Sequence, residues 1–136
     1  AENLGSTTFT TSASDQSTSG FSAWKAVADE GGIADAGAPF VPNSYDATFM
    51  MALAIEKAGS ADRSAISSAL RSFANAPGEV ILPGEFAKAK AILAAGGDIH
   101  YSGAAGPQDF DENGDVAGFF SANVVKNGSW EGSIIK

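Results

Sequence analysis

The chain has 136 residues, no cysteine, and 16 acidic against 8 basic side chains, for a formal net charge of −8. That length suggests one domain, the charge opposes binding to nucleic acid or anionic lipid, and no apolar run approaches the ~20 residues that span a bilayer. Of the 44% apolar residues, 26 positions are alanine, which buries little area, so the core is thin for the length.

Residues 6–22 hold 11 Ser or Thr, and within them Thr7-Thr8-Phe9-Thr10-Thr11 predicts a short strand from its β-branched content. Phe21, Trp24 and Val27 recur every third position, one face of an amphipathic helix that starts near Ser19 and ends at Gly31-Gly32. Pro39 and Pro42 bracket Phe40-Val41 and predict a short extended piece or edge strand. Asn43, followed three residues later by Asp46, has the form of a capping box and starts a helix expected from about Ser44 to Ala58. Its Tyr45, Phe49, Met50, Met51, Leu53 and Ile55 leave only Asp46, Glu56 and Lys57 charged, the pattern of a buried helix.

Gly59-Ser60 breaks that helix, and Asp62 can cap the next, on which Ile66, Leu70 and Phe73 recur before Pro77-Gly78. Val80-Ile81-Leu82 is a short apolar run. Pro83-Gly84-Glu85 then opens an alanine-rich helix to about Ala95, closed by Gly96-Gly97. Beyond Tyr101 the chain reads as loop, then as strands over Val116–Lys126 and Ser129–Ile135. Asn127-Gly128 between them is the strongest hairpin signal in the chain.

Catalytic signatures are scarce. There is one histidine, His100, with no orienting carboxylate close by in sequence, and none of the nucleophile, zinc or phosphate-loop motifs is present; the expectation is a protein that is not an enzyme and needs no cofactor. Asp109-Phe110-Asp111-Glu112-Asn113-Gly114-Asp115 matches the opening of a calcium loop, which makes Asp109, Asp111 and Asn113 weak metal candidates. The match fails where the bidentate Glu should stand, at Phe120. A tight turn with Gly114 at positive φ accounts for the same residues without a metal. Around Phe40–Asp46, exposed helix N–H groups offer a place for a carboxylate, with Phe40, Asn43, Tyr45 and Asp46 as candidate ligand-binding residues; the alternative is that Phe40 and Tyr45 are core and Asn43 and Asp46 caps.

Three stretches carry a resemblance: Phe40-Val41-Pro42-Asn43-Ser44-Tyr45-Asp46-Ala47, the run from Ala54 to Ser60, and above all Gly103 to Gly118 with its Gly-Pro-x-x-Phe-Asp-x-x-Gly-Asp-x-x-Gly element. They resemble the periplasmic solute-binding proteins of branched-chain and related amino-acid ABC transporters, over nearly the whole chain from Gly20 to Ile135. The resemblance implies an α/β protein with a partial type I periplasmic binding fold, in which helices flank a mostly parallel sheet, pieces of two lobes are present and a hairpin ends the chain. It implies residues 1–14 from the second lobe, 15–118 as the C-terminal part of the first, and 119–136 returning to the second. By the same resemblance the chain is the C-terminal portion of an extracytoplasmic, periplasmic protein that captures an amino-acid-like ligand for an ABC transporter permease. Phe40 and Tyr45 would then be apolar wall, with Asn43 and Asp46 weaker polar contacts, and the Asp109–Asp115 turn a structural hairpin. The remaining alternatives are a self-standing acidic interaction domain, forming a homo-oligomer through exposed sheet edges, and a weak Ca²⁺-binding module.

Overall fold

The computed structural model describes residues 7–75 and 77–135; residues 1–6 of the expected 1–14 segment lie outside the described residues. Strand β1 (Thr8–Ala13) is followed by helices α1 (Ser19–Glu30), α2 (Val41–Ala58) and α3 (Arg63–Ala74). Strand β2 (Glu79–Ile81), helix α4 (Phe86–Ala94) and strand β3 (Ile99–Tyr101) come next, then β4 (Phe119–Lys126) and β5 (Ser129–Ile135). The architecture is mixed α/β.

Local chemistry sets most of these boundaries. Thr18 caps α1, its Oγ1 accepting the Phe21 N–H at 3.0 Å, and Asp62 caps α3 by accepting the Ala65 N–H at 2.9 Å, each satisfying a donor the first turn leaves open. Asn127 and Gly128 both have positive φ, at 51° and 79°, the conformation that a two-residue hairpin between twisted strands requires.

Three expectations need correction. The Phe40–Pro42 stretch is not an extended strand: α2 already begins at Val41, with proline in its first turn, where the missing N–H costs nothing. The Asn43–Asp46 capping box is therefore not used, and the N-cap is Phe40, without a side-chain cap. Nor is α2 buried on all sides, since Met51 and Ile55 are exposed. Strand β3 went unpredicted; three residues are too few for a period to show.

Strands β2 and β3 pair in parallel, joined across α4, with Ile81 opposite Tyr101. Helices α2, α3 and α4 cover this pair, and the main core gathers there around Phe49, Leu53, Phe73, Ile81, Ile99 and Tyr101. A second core joins Phe21, Trp24 and Ala28 of α1 to Ala36 and Ala104, and Tyr45 packs against both. The remaining strands form a separate antiparallel sheet in the order β1-β4-β5, so both ends of the described chain enter one sheet, on either side of β4, while the α/β unit is carried between them.

Candidate functional site

Where α1 meets the start of α2 the surface opens into a trough of about 510 Å³ lined by Trp24, Ile33, Pro39, Phe40, Val41, Ser44 and Tyr45. Its floor is rigid. The Trp24 indole N–H donates to the Ala36 carbonyl at 2.9 Å. The Tyr45 ring lies 4.6 Å from it, with Phe49 5.6 Å beyond and Tyr101 5.0 Å further along, so the trough wall is the outer end of an aromatic row reaching into the main core. The Tyr45 hydroxyl accepts the Gly84 N–H at 2.8 Å, which fixes the tilt of the ring.

Phe40 is the conspicuous member. It is 64% exposed and its backbone is left-handed at φ 68°, a region that costs a non-glycine residue about 1–2 kcal/mol. Strain of this kind persists where surrounding structure imposes it and clusters at ligand-binding positions. Here the Phe40 carbonyl accepts both the N–H and the hydroxyl of Ser44, each at 2.9 Å.

The N–H groups expected to meet a carboxylate are mostly spoken for: Val41 donates to the Ala38 carbonyl at 3.1 Å, Ser44 to Phe40, and Pro42 has none to give. The trough therefore offers apolar and aromatic surface, suited to the hydrocarbon part of a ligand.

Of the four residues expected at a ligand, Phe40 and Tyr45 line the trough and the other two do not. Asn43 is exposed, and its Oδ1 accepts the Ser12 hydroxyl at 3.4 Å. Asp46 points inward and is 2% exposed. Its Oδ1 accepts from the Tyr101 hydroxyl at 2.6 Å and the Ala104 N–H at 2.7 Å; its Oδ2 accepts from the Ala105 N–H at 2.8 Å and the Gln108 amide at 3.3 Å. Burial raises the Asp46 carboxyl above the usual carboxylate value, and the bonds from Tyr101, Ala105 and Ala104 oppose that rise. Burial, and then the Asp46 charge, raise the Tyr101 phenol above its ordinary value.

The three weak metal candidates do not converge as a set: Asn113 bonds Asp111, and Asp109 turns to His100. Asp111 Oδ1 accepts the N–H groups of Asn113 at 2.8 Å and Asp115 at 2.9 Å, while Asp109 Oδ1 lies 3.0 Å from His100 Nε2. Backbone donors, Asp115's first, hold the Asp111 carboxyl below its usual value. Asn75 clamps the turn to the end of α3, donating to the Phe110 carbonyl at 2.8 Å and accepting its N–H at 3.0 Å. Among the described residues no group of three His, Cys, Asp or Glu side chains could hold an ion. The His100–Asp109 pair was invisible in the sequence because the chain turns back between them; a half-buried strand residue followed by Gly and Pro is the one hint it leaves.

The sequence model of the family described as "Receptor family ligand binding region" matches residues 4–121. Over 71 residues the chain is 34% identical to the chemotactic signal transduction system substrate-binding protein BasB of Halobacterium salinarum, a stretch that is 52% of this chain and 17% of that protein. The chain thus spans about a sixth of the length of this curated relative. No solved structure matches.

Proposed function

Because the chain belongs to the receptor family ligand-binding region, whose fold is of the type I periplasmic binding kind, we propose that it supplies one wall of a site that captures a small amino acid with an aliphatic side chain. Capture takes place outside the cytoplasm, and the ligand is handed to an ABC transporter permease. What supports this reading is the aromatic trough, in which a strained and exposed Phe40 stands beside the packed Trp24–Tyr45 pair. An apolar wall of this kind recognises a hydrocarbon side chain and leaves the ammonium and carboxylate to groups on a facing surface. Recognition needs no covalent step, so the protein acts as a carrier and not as an enzyme. No helix among the described residues is long and apolar enough to cross a membrane.

A second reading concerns delivery alone. The similarity to a chemotactic substrate-binding protein favours a chemotaxis transducer as the receiving partner in place of a permease, with the same ligand chemistry at the trough.

Calorimetric titration of the intact protein encoded by the gene with L-leucine, L-isoleucine and L-valine tests the reading. Binding of at least one is expected, weakened about tenfold or more by Phe40→Ala, since a buried aromatic side chain contributes about 1.5–3 kcal/mol. The 136-residue chain by itself, with a single wall, is expected to give no heat. Absence of binding by the intact protein, or an unchanged affinity in Phe40→Ala, overturns the assignment.

A further inference from the structure

We propose that Asp46 is a positioning residue for the trough: its buried carboxylate ties the aromatic wall at the start of α2 to the Tyr101–Gln108 segment that leads the chain toward β4. The inference rests on reading the trough as a ligand wall, but its test needs no ligand.

Four donors from this one segment converge on the carboxylate, two of them the successive backbone N–H groups of Ala104 and Ala105. No cationic side chain makes an ion pair with Asp46 among the described residues. The charge is met by oriented dipoles, which fix direction as well as distance, whereas a lysine could follow a shifted carboxylate. The loop itself closes on reciprocal bonds, Gly103 N–H to the Gly106 carbonyl at 3.0 Å and Gly106 N–H to the Gly103 carbonyl at 3.3 Å.

Steric limits surround the same loop on three sides. A Cβ at Gly103 would lie 2.6 to 2.8 Å from the Asp46 carboxylate atoms, and one at Gly20, in the first turn of α1, would collide with the Gly103 carbonyl. At Gly106, where φ is +135°, a Cβ would stand 2.8 Å from the ring of Phe119, the first residue of β4. The loop is therefore wedged between α1, α2 and the start of the antiparallel sheet, and Asp46 is the hydrogen-bonding pin. Tyr45 is its neighbour in sequence, with its ring set between Trp24 and Phe49. A displacement of Asp46 moves the wall.

An asparagine in this place turns its NH₂ toward the Ala105 N–H or the Ala104 N–H, donor against donor, so Asp46→Asn must shift the loop or the helix start. Trp24 makes no hydrogen bond to Asp46 and reports the wall through its contact with Tyr45. The 136-residue chain has two tryptophans, so its NMR spectrum holds two indole N–H resonances, told apart by Trp130→Phe. In Asp46→Asn, and to a smaller degree in Tyr101→Phe, the Trp24 resonance is expected to shift and its fluorescence to become more quenchable by acrylamide. A control, Phe73→Leu, trims a fully buried ring of α3 and should lower the Tm while leaving both Trp24 signals in place. Trp24 signals unchanged in both Asp46→Asn and Tyr101→Phe, or moved equally by Phe73→Leu, overturn the proposal. Should Asp46→Asn fail to fold, Tyr101→Phe and Gln108→Ala, each removing one donor, decide it by the same signals. A failure of the intact protein to bind amino acids would count against the functional reading alone.

Discussion

A single carboxylate does more at its position than its neighbours in sequence suggest. Asp46 and Tyr101 are fifty-five residues apart and 2.6 Å from each other. Residue identity alone pointed to a cap, because Asn43-x-x-Asp46 has the spacing of one; the pull that turned Asp46 inward comes from donors beyond residue 100, which no local pattern reveals. The same distance in sequence hid the structural use of Tyr101, whose raised pKa has a consequence for stability. A phenol that is harder to ionise when folded contributes stability fully present below its unfolded pKa, near 10, and lost as pH rises above it. Denaturation titrations between pH 9 and 12 should show unfolding free energy falling by up to about 1.4 kcal/mol per pH unit from Tyr101. Tyr101→Phe should make that limb shallower, leaving the share of Tyr45, whose phenol burial also raises, while lowering the plateau by about 1.5–3 kcal/mol for the lost hydrogen bond to a carboxylate. An equally steep alkaline limb in the variant would show that Tyr101 is not its origin. The buried Asp46 carboxyl, also raised, acts with the same sign at acid pH: its contribution is complete below about 3.8 and declines as pH rises through its folded value.

Helices were the legible elements, and their caps explain how far. Asp62, Gly31 and Gly59 end or begin helices where the sequence placed them, because capping is short-range chemistry. Helix α2 departed from expectation at its first turn, since Pro42 is as compatible with a helix start as with an extended strand and the choice was made by Phe40. The Phe40 φ of 68° gives a test that separates fold from function. Phe40→Gly relieves the left-handed strain and should stabilise the chain by up to about 1 kcal/mol in thermal or denaturant unfolding, after glycine's own entropic cost. The same change strips the trough of its most exposed ring. A loss of stability would mean that Phe40 contributes packing greater than its strain.

Taken whole, the molecule shows 7988 Å² of accessible surface, against roughly 6,600 Å² for a compact protein of 13.7 kDa. Five of the large apolar side chains left exposed stand on the antiparallel sheet: Phe9, Phe120, Trp130, Ile134 and Ile135. Broad apolar patches and open strand edges promote association. The 136-residue chain should thus show a concentration-dependent mass by light scattering, and the double variant Trp130→Ser, Ile134→Ser should return it to the monomer mass; a monomer at all concentrations in the parent chain excludes this surface as the cause. The Asn127-Gly128 hairpin was plain in the sequence because a two-residue turn is local. The pairing of β1 with β4 was not, for Thr8 meets Val124 across nearly the whole chain. That pairing also dictates an order of events in time. Hairpin β4-β5 and the helices can form from neighbours, but β1 has no lodging until the body between residues 19 and 118 has condensed and brought its ends together, because closing so long a loop costs entropy before any contact repays it. The contact of Phe9 with Trp130, at 4.8 Å between ring centres, accordingly joins residues farther apart in sequence than any other ring pair described, and carries the largest closure cost of them.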